Sequence, residues 1–143
     1  MGKKAPKWTP SRKELEEILE VDNIHELFLV GQVCIERMLD KILEKEFGIP
    51  FELSDPQFMW YQKNLILEKS GRLKGNVKIN VGLINSIRNR YAHRLKPDEK
   101  AIENQIRDLK YLGASHASPI TKFEKYRVCV ISTFTELEKI LGR

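Results

Sequence analysis

Apolar residues recur three and four positions apart over long stretches of the chain, and this spacing is the feature that most restricts its fold. The clearest stretch runs from Asp22, the predicted N-cap, to about Phe47, and Gly48 and Pro50 end it. Such spacing aligns side chains along one face of an α-helix, whereas strands require alternation. The one β-branched patch, at residues 77–81, continues into a helical pattern. The sequence therefore predicts an all-α protein.

Capping residues, glycines and prolines divide the remaining sequence into further helices. A short helix is predicted over residues 11–20, and Gly71 and Gly113 end two of the later helices. The later helices are predicted to begin at four places: Asp55-Pro56, near Asn76, Pro97-Asp98 and Ser118-Pro119. In the first and last of these places, a capping residue precedes proline at the first helical position. The expected architecture is a bundle of four long helices plus one or two shorter helices.

A chain of 143 residues fits a single domain with one hydrophobic core. Residues 1–10 hold lysine, proline and tryptophan without periodicity and are interpreted as a loose basic arm, so a single helical domain is expected over residues 11–143. No apolar run approaches the length of a membrane span, and no apolar signal segment follows the basic N-terminus. These features predict a cytoplasmic protein without membrane contact.

The cysteines and the isolated histidines show no spacing typical of a metal site. Cys34 and Cys129 both fall within apolar helical patterns and are predicted to be buried free thiols in a reducing compartment. His25 and His116 stand alone and are interpreted as surface or loop residues. Because Cys and His do not cluster as metal ligands do, neither a metal nor another cofactor is expected.

Basic residues concentrate in one segment, although the net charge of the whole chain is a moderate +5. Residues 71–97 contain no Asp or Glu, and their seven Lys and Arg residues are Arg72, Lys74, Lys78, Arg88, Arg90, Arg94 and Lys96. Two interpretations of this segment stay open, because a run of cations forms either a solvated helix face or a surface that binds phosphate groups.

Within this segment, the stretch Ile-Arg-Asn-Arg-Tyr-Ala-His at residues 87–93 holds groups that suit phosphate chemistry. Arg88 carries a permanent positive charge and can donate two parallel hydrogen bonds to a phosphate, and His93 has an imidazole that can transfer a proton. Asn89 and His93 are four residues apart and share a helix face, whereas Arg88 and His93 diverge by about 140° on an ideal helix. They meet at one phosphate only if the helix loosens near Tyr91, if both point into a shared cleft, or if two chains contribute.

A structural interpretation is also open for each residue of this stretch. Arg88 then pairs with a carboxylate across the bundle, and Glu36 on the second helix is the candidate structural partner. Asn89 then bonds to backbone, and His93 interacts with the end of its own helix. In that case an ion pair within the monomer neutralises the Arg88 guanidinium, and catalysis is not expected.

The stretch at residues 87–93 resembles the Arg-x(4–6)-His motif of the HEPN superfamily (higher eukaryotes and prokaryotes nucleotide-binding), in which a polar residue such as Asn commonly follows the Arg. Together with the earlier sequence Leu-Val-Gly-Gln-Val-Cys-Ile-Glu at residues 29–36, it is similar to the mannitol-repressor-like branch. The similarity covers roughly residues 23–95. One toxin branch has a Tyr two residues after the His, whereas this sequence has Leu95 there.

The resemblance implies a HEPN-like helical bundle that forms a homodimer, often with two copies of the motif facing each other across the symmetry axis. Many members are metal-independent endoribonucleases of toxin–antitoxin, defence or RNA-processing systems, so RNA and an antitoxin or regulatory protein are implied partners. Other members keep the fold as non-catalytic regulatory modules. The alternative function is therefore a module that binds nucleic acid or a partner protein.

The expected reaction is attack of a ribose 2′-OH on the adjacent phosphorus, which leaves 2′,3′-cyclic phosphate and 5′-OH ends. His93 is expected to act as general acid or base, and Arg88 to stabilise charge in the transition state. Asn89 is expected to orient His93 or to donate to a phosphate oxygen. The residues expected to contact flanking RNA are Arg90, Arg94, Lys96 and Lys78.

Overall fold

The fold is all-helical in the part of the chain that the structure describes. The computed structural model describes residues 9–48, 60–92, 96–112 and 121–142. Its six helices are α1 (Arg12–Ile18), α2 (Ile24–Phe47), α3 (Trp60–Lys69), α4 (Gly75–Ala92), α5 (Glu99–Asp108) and α6 (Lys122–Leu141). No strand occurs in these ranges, so the predicted all-α class is confirmed. Within the described ranges α2, α4 and α6 are long, and the predicted start of the fourth long helix at Asp55-Pro56 lies outside them.

α2 is the central helix of the bundle and packs against α6, α4 and α3. Near its start, the Phe28 ring lies 5.0 Å from the Tyr126 ring of α6, and near its end Lys45 donates to the Leu141 carbonyl at 2.5 Å. These two helices therefore run in the same direction. Tyr91, in the last turn of α4, packs edge-on against Phe28. The C-terminal end of α4 thus lies beside the N-terminal end of α2.

Most of the predicted helix boundaries are confirmed. Ser11 caps α1 in a capping box, and Gly48 ends α2 in the left-handed conformation at a φ of 67°. Asp98 caps α5 where the sequence predicts a start, and the patch at residues 77–81 is helical. Pro10 is buried, so the predicted loose arm does not reach residue 10, and residues 1–8 lie outside the described ranges.

Two helix starts differ from the prediction because another residue provides the cap. Asn23, not Asp22, caps α2 and accepts a hydrogen bond at 2.9 Å from the N–H three residues later. Thr121 caps α6 in the same way at 3.1 Å. Because Asn, Asp, Ser and Thr all cap helices well, the sequence alone does not choose between candidates so close together. The predicted pairs Asp55-Pro56 and Ser118-Pro119 lie outside the described residues.

A buried asparagine explains why α5 ends before the predicted Gly113. The Asn80 side chain accepts a hydrogen bond from the Lys110 N–H and donates one to the Lys110 carbonyl, each at 2.8 Å. It also donates to the Thr133 hydroxyl of α6 at 3.0 Å. These bonds satisfy a fully buried amide, and Leu109, which precedes the bonded residue, is already extended with a ψ of 138°. A tertiary contact therefore ends this helix.

Gly31 leaves room for the Tyr126 side chain between α2 and α6. A Cβ at Gly31 would lie 2.4 Å from the Tyr126 hydroxyl oxygen, and Tyr126 is fully buried. We expect Gly31→Ala to lower the free energy of unfolding by about 1–3 kcal/mol, because overpacking forces the ring or the backbone to shift. Chemical denaturation of the purified variant measures this change.

Gly82→Ala is the matched control for this prediction, because it places the same methyl group on a helix without a neighbour. Gly82 is exposed in the middle of α4, and outside its own helix backbone no atom lies within 4 Å of the point that a Cβ would occupy. Its replacement should raise the free energy of unfolding by about 0.5–1 kcal/mol through helix propensity. Gly31→Ala with at least wild-type stability would contradict the close contact with Tyr126.

Candidate functional site

The cationic stretch at the end of α4 lies at the border between the core and the solvent. Ile84 and Ile87 are fully buried, whereas the next three residues, Arg88, Asn89 and Arg90, are each partly exposed. Each step along a helix turns the side chain by about 100°, so these residues leave the buried face. The Nε atoms of both arginines are buried. The inner parts of both arginine side chains are therefore packed within the protein, and part of each side chain is exposed to solvent.

Arg88 has no acidic partner among the described residues. Its Nη1 donates to Asn89 Oδ1 at 3.2 Å, and its buried Nε has no hydrogen-bond partner. A neutral amide does not compensate the positive charge, so the guanidinium retains the charge and the donors that suit a phosphate. Asn89 is predicted to orient His93, and in the structure it contacts Arg88. His93 itself lies outside the described residues.

Glu36, the predicted partner of Arg88, is bonded to other residues. Its Oε2 accepts a hydrogen bond from Lys63 Nζ at 2.8 Å, and its Oε1 accepts one from Gln32 Nε2 at 3.1 Å. The prediction that Glu36 neutralises Arg88 is therefore wrong. The reason is that Glu36 faces α3, where Lys63 provides a buried ammonium group.

Lys63 is a fully buried cation that joins α3 to α2. Its Nζ lies 2.8 Å from Glu36 Oε2 and 2.8 Å from Asp40 Oδ1, and Asp40 is also fully buried. Burial favours the neutral amine, but hydrogen bonds to the two carboxylates outweigh it and raise the pKa of Lys63. Sequence reasoning missed this residue. A signal existed, because two carboxylates four residues apart in a largely apolar helix require a cation nearby.

Two cations of residues 71–97 are neutralised by acids of neighbouring helices. Arg72 forms an ion pair with Glu46 of α2, and Lys78 forms one with Glu68 of α3. These acids lie outside the acid-free segment, so the sequence alone did not reveal the pairing. Lys78 is therefore a weaker candidate for RNA contact than the sequence predicts.

Three of the cations of residues 71–97 that have no acidic partner in the described ranges lie at the C-terminal end of α4 or just beyond it, and Lys74, which also has none, lies just before α4 begins. Arg88 and Arg90 lie in the last two turns of α4, and the exposed Lys96 follows. The helix macrodipole places about half a negative charge at this end, and the two positive charges of the guanidinium groups exceed it. The Arg88 and Arg90 guanidinium groups therefore favour an anion at this end of α4. The predicted RNA contact Arg94 lies outside the described residues.

One histidine at this end of the bundle makes a contact that the sequence does not predict. His25, in the first turn of α2, is exposed, and its ring centroid lies 5.4 Å from that of Tyr91 with an interplanar angle of 39°. The predicted surface position is correct, but the residue is not isolated, because it contacts the stretch that contains Arg88. The two residues belong to different helices, so no local pattern predicts their contact.

The two cysteines are buried free thiols, as predicted. Burial raises the pKa of Cys34 to about 11, although the nearby Arg37 opposes the shift. Burial likewise raises the pKa of Cys129 to about 11, against the opposing charge of Lys125. A thiol in this state is protonated near neutral pH and is a poor nucleophile. In the described ranges, no three His, Cys, Asp or Glu side chains cluster as metal ligands do.

Comparison with protein-family models, curated proteins and solved structures finds no match to this chain. None of the described helices combines the length and the apolar composition that a membrane crossing requires. The functional assignment therefore depends on the chemistry at the end of α4.

Proposed function

We propose that this chain is a metal-independent endoribonuclease of the HEPN type. The observation that carries the proposal is the Arg88 guanidinium, which is bonded to a neutral amide and not to an acid at the end of α4. A guanidinium in this state is available for two parallel hydrogen bonds to a phosphate. The resemblance of residues 87–93 to the HEPN motif supplies His93 as the group that transfers a proton.

In the proposed reaction, the ribose 2′-oxygen bonds to phosphorus and the bond from phosphorus to the 5′-oxygen breaks. His93 acts as general acid or base, and Arg88 stabilises the negative charge that develops on the phosphoryl oxygens. Asn89 holds the Arg88 fork through its side-chain carbonyl. Arg90, Arg94 and Lys96 bind flanking phosphates. A homodimer, in which two stretches face each other, is part of the proposal because Arg88 and His93 diverge on one ideal helix.

A non-catalytic module that binds nucleic acid is the second candidate function. The observation that favours it is the group of cations at the end of α4 that have no acidic partner in the described ranges. Phosphate contacts by such cations provide sequence-independent affinity without any chemical step. In that case RNA binds the protein and stays intact, and its affinity falls steeply as salt is added.

Incubation of the purified protein with a labelled single-stranded RNA in excess chelator separates the two functions. We expect the RNA to be cut without a divalent cation. The DNA of the same sequence is the matched control and should stay intact, because it lacks the attacking 2′-OH. Salt-sensitive RNA binding without cleavage would support the non-catalytic module, and cleavage that requires a divalent cation or extends to the DNA would contradict the proposed reaction.

A further inference from the structure

We propose that α3 opens and closes as a separate unit while the rest of the bundle stays folded, and that the ion cluster around Lys63 holds it closed. Proteins open locally where a segment has few buried apolar contacts and where a hinge allows it to move. α3 meets these conditions through its small apolar contact, its charged inner face and the glycine that follows it. The inference is independent of the ribonuclease function, so either proposal can fail without the other.

The apolar contact between α3 and the bundle is small. Of the ten residues of this helix, Lys63 and Leu67 are buried, and one of these two is a cation. Trp60 and Ile66 pack partly against the core, whereas Tyr61 is 73% exposed. α3 packs mainly against α2, whereas α5, which has the same length, buries two isoleucines and packs against both α4 and α6. Few apolar groups therefore lose contact when α3 leaves α2.

A cluster of three charges takes the place of apolar packing in the contact between α2 and α3. Lys63 Nζ lies 2.8 Å from Glu36 Oε2 and 2.8 Å from Asp40 Oδ1, and both Lys63 and Asp40 are fully buried. These charges compensate one another in the closed state, and water hydrates each of them in the open state. Hydration offsets much of the lost attraction, so the open state is accessible. A partly open state leaves buried charges uncompensated, and α3 is therefore either closed or fully open.

Gly71 provides a hinge directly after α3. It adopts a left-handed φ of 79°, a conformation that glycine reaches without strain. Two residues later, Leu73 is almost completely buried and belongs to the core, so the chain beyond the hinge is anchored. The ion pair between Glu68 of α3 and Lys78 of α4 is exposed, and a pair of this kind contributes little stability. The segment that moves therefore ends at the hinge.

Opening of α3 changes the charge of the surface that α2 presents. Glu36 and Asp40 lie four residues apart on the side of α2 that Lys63 contacts. When Lys63 leaves, both carboxylates are exposed to solvent without this cation, so the uncovered face of α2 is acidic. Gln32 Nε2 donates to Glu36 Oε1 from within the same helix, so Glu36 keeps one partner in either state. The closed state neutralises this face, and the open state exposes it.

Native-state hydrogen exchange of the intact wild-type protein in low concentrations of urea tests the separate opening of α3. The reporters are the amide protons of residues 64–70, in α3 and directly after it, and of residues 129–137 in the middle of α6. We expect the α3 amides to exchange at least about 100-fold faster and to respond weakly to urea, because a local opening exposes little surface. Equal rates with the same urea dependence in both helices would mean that α3 opens only with the whole bundle, and would overturn the proposal.

Glu36→Gln tests whether the ion cluster holds α3 closed. It removes one of the two carboxylate charges beside Lys63 and keeps the size of the side chain. We expect the α3 amides to exchange at least about tenfold faster than in the wild type, because the buried ammonium loses a charged hydrogen-bond partner. Glu136→Gln is the matched control, since it breaks an exposed ion pair with Lys139 and should leave α3 exchange within about twofold of the wild type. Equal α3 exchange in the two variants would overturn the role of the ion cluster.

Discussion

Arg88→Ala is expected to reduce RNA cleavage by about 10³-fold or more while the helical fold stays intact. The Nη1 atom of Arg88 is bonded only to the neutral Asn89 side chain, so its removal breaks no ion pair of the described residues. In the proposed reaction, the lost group is the fixed charge that would stabilise the transition state. Single-turnover cleavage rates of a labelled RNA measure the effect, and circular dichroism at increasing temperature verifies the fold.

Arg72→Ala is the matched control for this prediction. It removes an arginine from the same basic segment, but from an exposed ion pair with Glu46. We expect its cleavage rate to stay near that of the wild type. Arg88→Lys should cleave at an intermediate rate, because it keeps the charge and loses the planar fork. Wild-type cleavage by Arg88→Ala would contradict the role of the guanidinium.

Lys63→Met is expected to lower the free energy of unfolding by about 3–5 kcal/mol. The Lys63 ammonium lies 2.8 Å from a carboxylate oxygen of Glu36 and 2.8 Å from one of Asp40. A methionine of similar length fills the space but leaves two neighbouring carboxylates without this cation, one of them fully buried. The destabilisation comes from desolvated, mutually repelling charges. Urea denaturation monitored by circular dichroism measures the loss at an unchanged m value.

Lys139→Met is the matched control, because it removes a lysine from an exposed ion pair. Lys139 Nζ lies 3.0 Å from Glu136 Oε1 at the surface of α6, and the expected change in the free energy of unfolding is within about 0.5 kcal/mol. The triple variant Glu36→Gln/Asp40→Asn/Lys63→Met should recover part of the loss, since it leaves no unpaired charge. A Lys63→Met protein as stable as Lys139→Met would contradict the buried ion pair.

The contact with Lys63 also changes how an effect of Glu36→Gln on stability should be interpreted. From the sequence alone, destabilisation by Glu36→Gln would indicate that Glu36 neutralises Arg88. In the structure, the same substitution weakens the bonds to Lys63 and Gln32. Its effect on stability therefore carries no information about Arg88, and the availability of the guanidinium has to be tested at Arg88 itself.

Local patterns were sufficient to predict most of the helices. The apolar spacing and the left-handed Gly48 define α2, and the periodicity through residues 77–81 correctly indicates a helix and not a strand. Apart from the choice between neighbouring capping residues, the errors occur where tertiary contacts decide. Asn80 holds the Lys110 backbone and thereby fixes the extended segment after α5, a contact between residues 30 positions apart. No sequence window of helical length contains both partners.

In the candidate site too, contacts between sequence neighbours could be anticipated, whereas contacts between helices could not. Arg88 and Asn89 are adjacent, so their association was visible in the sequence, although the hydrogen bond between their side chains was not predicted. The partner of Glu36 and the ring contact of His25 each join two helices, and both were missed. Residues that meet across a bundle leave no shared periodic pattern, so the sequence identified the cationic stretch but not its surroundings.

End-group analysis of RNA fragments would decide whether the proposed chemistry occurs. Wild-type protein and Arg88→Ala, purified in parallel, are incubated with RNA in chelator, and the new ends are identified by mass spectrometry. Attack by the 2′-OH predicts a 2′,3′-cyclic phosphate and a 5′-hydroxyl in the wild-type reaction, and intact RNA with the variant. Fragments ending in 3′-hydroxyl and 5′-phosphate, or identical fragments from both proteins, would contradict catalysis by this site.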